Sequence, residues 1–103
     1  TPLKVSSPNW GSFTGPAHCS YALMEVDKSK KIEIEITFFE SNSCCDFLKI
    51  YDGLIGYNEL ISLNGYYGPV SLNITGTTNA IRLEWNATSG AYVRGWHARV
   101  GSV

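Results

Sequence analysis

At 103 residues the chain has room for one domain, so residues 1–103 are read as a single unit. Apolar residues make up 44% and charged residues 17%, which is enough for a packed core and too little charge for a disordered tail. A formal net charge of −1 gives no basic face for nucleic acid, no apolar run approaches the roughly 18–20 residues of a membrane helix, and Thr1 opens no signal peptide, so a mature or excised chain is expected.

Alternation of apolar and polar residues is the dominant pattern, and it points to strands. Ser20 to Val26 and Lys31 to Phe38 flank the polar turn Asp27-Lys28-Ser29-Lys30, and the two runs read as an antiparallel hairpin. In the second run Ile32, Ile34, Ile36 and Phe38 face one way, while Glu33, Glu35 and Thr37 face the other. Asp46 to Tyr51 is the next strand, closed by the turn Asp52-Gly53. Glu59 to Leu63 and Val70 to Ile74 are shorter strands around a Gly/Pro loop at Asn64 to Pro69. Ala80 to Trp85 and Gly95 to Val100 complete the set, with Trp85 and Trp96 assigned to the core by their parity. Strands recurring every ten or so residues between turns predict an all-β sandwich.

The segment Cys45-Asp46-Phe47-Leu48-Lys49-Ile50-Tyr51-Asp52-Gly53 resembles the signature strand of the CUB domain family. Ser7-Pro8-Asn9-Trp10, Cys19-Ser20-Tyr21-Ala22-Leu23, Ile34 to Glu40, Thr78 to Trp85 and Gly95 to Val100 resemble further family motifs in the family's order. The resemblance implies an antiparallel jelly-roll β-sandwich in a secreted, extracellular protein. It implies an interaction module that binds a protein partner, and no enzyme. The family usually has four cysteines in two bridges, whereas this chain has Cys19, Cys44 and Cys45. The hairpin register sets Cys19 opposite about residue 38. A bridge from Cys19 to Cys44 or Cys45 is therefore expected, closing a loop of roughly 25 residues worth about 3 kcal/mol. A vicinal Cys44–Cys45 bridge is the second reading, and three thiols in a reducing compartment the third. An unpaired cysteine could join two chains in a covalent dimer, which makes a structural assembly unit one alternative function.

Calcium is the cofactor that the resemblance implies. Calcium-binding members hold the ion with one Glu and two Asp. Glu40 and Asp46 match the first two, and counting back from Gly95-Trp96 places Asn86 at the third, with Thr88 in the same loop. Asn86 carries one charge fewer than an Asp, which weakens such a site. In the family, acidic oxygens beside the ion accept a Lys or Arg of the partner. Asn73-Ile74-Thr75 and Asn86-Ala87-Thr88 are also N-glycosylation sequons, and a glycan on Asn86 would crowd a metal. Trp10, Tyr57, Tyr66, Tyr67 and Tyr92 fall in loops or at edges, where aromatic rings stack on sugars or anchor interfaces. A carbohydrate-binding, lectin-like module is thus the other alternative. No catalytic residue stands out: His18 beside Cys19 cannot easily orient as its base, His97 lies on the outer face, and no zinc spacing or phosphate loop occurs.

Overall fold

The computed structural model describes residues 3–8, 17–88 and 94–103. The alternating segments form β1 (Leu3–Ser6), β2 (Ala17–Met24), β3 (Ile32–Glu40), β4 (Phe47–Asp52), β5 (Glu59–Leu63), β6 (Tyr66–Thr75), β7 (Ala80–Ala87) and β8 (Gly95–Ser102). They pair into two four-stranded antiparallel sheets, ordered β1-β8-β3-β6 and β2-β7-β4-β5. The expected sandwich is present, with no helix among the described residues.

Period-2 burial makes the core. Ile34, Ile36, Leu48, Ile50, Ile81, Leu83 and Ala98 are fully buried between the layers. Each branched side chain withdrawn from water contributes about 2 kcal/mol. Trp85 and Trp96 meet edge-on at 6.4 Å between centroids, and Phe39 packs edge-on against Trp85 at 6.2 Å.

Three sequence expectations change, and a fourth difference is a strand they did not include. First, the β2–β3 hairpin does not form. β2 pairs with β7 along its whole length, and the turn after it crosses to the other layer. Asn79 fixes that exit: its backbone oxygen accepts from the Glu25 amide, and its side-chain amide donates to Glu25 O, both at 2.8 Å. Second, β3 has a bulge between Ile36 and Phe38. It flips the parity, so Phe39 and not Phe38 fills the core. Third, the loop expected at residues 64–69 is mostly strand, because β6 starts at Tyr66 and runs along β3. Fourth, Leu3–Ser6 is an edge strand on β8 that its short length hid from periodicity.

Candidate functional site

Glu40 ends β3, and residues 41–46 turn the chain into β4 at one end of the sandwich. Asp46 organises this tip from inside. It is only 1% exposed, and its two carboxylate oxygens accept backbone N–H bonds from two different segments. Asn42 N donates to Oδ2 at 3.3 Å, and Thr88 N donates to Oδ1 at 3.0 Å. The Asn42 carbonyl accepts in return from Cys45 N and Asp46 N at 3.1 and 3.0 Å. Thr88 Oγ1 donates to Cys45 O at 3.1 Å, which closes the link between the β3–β4 turn and the end of β7.

Ser41 is buried beside this bracket. Its hydroxyl donates to Asp46 O at 3.1 Å and accepts from Gly65 N at 2.8 Å, while Ser41 N donates to Gly65 O at 2.9 Å. Gly65 has φ +92°, a left-handed backbone that suits glycine, and so the β5–β6 turn can lie this close. Asn64 Nδ2 adds a bond to Ser43 O at 3.0 Å. Sequence reasoning missed Ser41 and the amides of Asn42 and Thr88. Their one signal is the run of turn-forming residues Ser41-Asn42-Ser43.

Glu40 is half-buried, and its Oε1 accepts from Arg94 N at 3.0 Å. Tyr66 is its cross-strand partner on β6 and is 71% exposed, so carboxylate and ring share the outer surface of the tip. The structure thus pairs Glu40 with Tyr66 and Asp46 with Thr88 at the same end of the sandwich. Asn86 stands elsewhere. It lies on the outer face of its sheet in register with His18 and Phe47, and Thr88 is the residue that meets Asp46. Tyr67 lays its ring edge against Phe39 at 5.5 Å. Tyr57 lies in the β4–β5 loop at the far end of the sandwich. Asn73 is exposed on the outer face of the edge strand β6. Trp10 and Tyr92 lie outside the described residues.

The preferred bridge from Cys19 is corrected. Cys44 and Cys45 are bonded to each other, and Cys19 is a free thiol. The physical reason is the pairing of β2. Cys19 faces Trp85 across the β2–β7 ladder and packs against the core, not opposite residue 38.

A family model described as CUB domain matches residues 1–100. The chain belongs to the CUB family. Similar solved structures include the CUB1-EGF-CUB2 domain of human MASP-1/3, with a TM-score of 0.82 and 14% identity over 99% of this chain and 42% of that one. The CUB1-EGF-CUB2 domains of rat MASP-1 give a TM-score of 0.83 and 12% identity over 99% of this chain and 40% of that one. The chain therefore spans about two fifths of these longer polypeptides. A MASP-1 CUB2 domain bound to Ca²⁺ gives a TM-score of 0.67 and 17% identity over 96% of this chain and 90% of that one.

The calcium of that CUB2 neighbour prompts a test of the donors in this CUB domain. Calcium takes six to eight oxygens, with several carboxylates in tight sites. Here the tip offers the carboxylates Glu40 and Asp46, and no acidic residue follows Glu84 in the sequence. The loop between β7 and β8 therefore has no third carboxylate to give. Each oxygen of Asp46 accepts one backbone N–H bond, so part of its acceptor capacity is already spent, while the Thr88 hydroxyl donates to Cys45 O and keeps only neutral lone pairs to offer. Among the described residues no three His, Cys, Asp or Glu side chains gather in one place. Two carboxylates with no third make a weak calcium site and not a tightly held one. Backbone N–H groups of two segments hold the Asp46 carboxylate in place.

Proposed function

We propose that this CUB domain is a non-catalytic module of an extracellular protein, and that its acidic tip binds a protein partner. CUB domains occur mainly in extracellular proteins and are generally interaction modules without catalysis. The Glu40 carboxylate receives a Lys or Arg of the partner, and the Tyr66 ring packs along the stem of that side chain. The observation that carries this reading is the Asp46 bracket. A buried carboxylate fastened to the turn that follows Glu40 and to the end of β7 fixes the tip before binding, which lowers the entropy lost on association. The contact needs no calcium and weakens with salt, because the exposed charge pair is screened.

A carbohydrate platform has less support, since Tyr57 and Tyr66 lie at opposite ends and the Tyr67 ring leans on Phe39. A covalent dimer through Cys19 has less support too, because that thiol packs against the core. The test is an array of secreted ectodomains beside an array of glycans, probed with the wild type, Glu40→Gln and Tyr66→Ala. The reading expects an ectodomain whose binding falls at least tenfold in each variant and is unchanged by chelator. Glycan binding alone, or ectodomain binding that ignores both substitutions, contradicts it.

A further inference from the structure

The end of the sandwich opposite the acidic tip gathers six of the eight large apolar side chains left exposed among the described residues. Leu3 opens β1, Met24 closes β2, and Val26 lies in the following turn. Ile55 and Tyr57 lie in the β4–β5 loop, and Val103 follows β8. Val26, Ile55 and Tyr57 are 92%, 87% and 83% exposed. These side chains share this end with the exposed charged turn at residues 27–31, and large apolar patches rimmed by polar residues mark interaction sites.

This end has both a projection and a recess. The projection is the β4–β5 loop, and Arg82 holds it firmly. The guanidinium donates to Leu54 O at 2.8 Å and to Gly56 O at 2.7 Å. It also lies over the Tyr51 ring at 4.7 Å and the Tyr57 ring at 5.7 Å. The loop is closed at its base by Asp52 N donating to Asn58 O at 2.8 Å. The recess is an open groove of about 400 Å³ lined by Leu3, Leu23, Met24, Ile32 and Val100, with Glu25 on its wall.

We infer that the occupant of this groove is the Ile55–Tyr57 loop of a second copy of the chain, and that the domain forms a non-covalent two-fold dimer through its apolar end. Three observations select a second copy. A two-fold interface needs a surface that complements itself, and here projection and recess share one end. Only β7 separates β2, at the groove, from β4, at the loop, so the two features stand about 10 Å apart in the sheet direction. A two-fold axis over β7 carries each loop onto the other copy's groove. Charge is compatible, since the Arg82 cation underlies the loop and the Glu25 carboxylate, with Lys30 nearby, borders the groove. Size agrees as well: the exposed surface of the six residues is on the order of 800 Å², one side of a standard interface.

Sedimentation equilibrium of the 103-residue chain from about 1 μM to about 1 mM tests the proposal. The expected mass climbs from 11.3 kDa toward twice that value. Ile55→Asp and Met24→Asp, both on exposed side chains, each weaken the dimer at least tenfold. Mixing the two variants partly restores it, because an intact groove on one copy meets an intact loop on the other. Cys19→Ser and Tyr66→Ala leave it unchanged, which separates this contact from a disulfide dimer and from the acidic tip. A wild type that stays monomeric throughout, or dimerisation that either Asp substitution leaves intact, overturns the proposal.

Discussion

Asp46 shows how one residue serves both fold and surface. A carboxylate buried without partners costs several kcal/mol, and here two amide donors offset that cost. Asp46→Ala leaves the amides of Asn42 and Thr88 without their acceptor. It should lower the stability read from urea unfolding by about 2 kcal/mol, since each part-buried donor left unpaired costs near the low end of roughly 1–3 kcal/mol. His97 has a different role. Burial, and then the nearby positive charges of Lys4 and Arg99, hold its pKa below the ordinary histidine value. The unfolded chain therefore binds a proton more readily than the folded one. The stability that His97 gives is present above its unfolded pKa and is lost as pH falls toward the lower folded value. The urea midpoint should rise from pH 5 to pH 7, and His97→Gln should flatten that rise; an unchanged slope contradicts this account. Asp46 and Glu40 could be picked out from the sequence through the family resemblance. The acceptor role of Asp46 could not, because its donors are backbone groups that carry no residue identity.

Strand identity was legible at the scale of elements, and partner choice was not. Alternation located β3, β4, β7 and β8, since each has one face against the core. It gave no sign that β2 would join β7, because the turn at residues 25–31 serves a hairpin and a crossing equally well. That single difference in pairing removed the Cys19 bridge. The bridge that forms joins neighbours one residue apart and closes no long loop. Reduction with a dithiol should change stability by less than about 1 kcal/mol, against the roughly 3 kcal/mol of a bridge spanning some 25 residues. A loss near the larger figure contradicts the vicinal pairing. The bulge in β3 was also hidden, and it brings Thr37 Oγ1 within 2.8 Å of His97 Nδ1. On β6, the sequon residue Asn73 is exposed at the sheet edge, whereas Asn86 is half-buried between two strands. Mass spectrometry of the chain from a secreting eukaryotic host should find glycan on Asn73 and little on Asn86; the reverse occupancy contradicts this reading of the two faces.

Across the whole molecule, the two ends of the sandwich differ in chemistry. One end is polar and tied together by Asp46, with Glu40 and Tyr66 at the surface. The other gathers exposed apolar side chains beside the charged turn at residues 27–31, and Arg82 shapes its loop. The core between them was largely readable, because Trp85, Trp96 and the Ile and Leu residues of the inner faces follow strand parity. The division between the ends was not, since it arises from loops that only the fold assembles. The central claim is that the acidic tip is held together by protein donors and not by a cation. Amide hydrogen exchange by NMR, followed at Asn42 and Thr88 with calcium and with chelator, tests it most directly. Both amides should be protected to the same degree in the two conditions, and protection that appears only when calcium is added would contradict the claim.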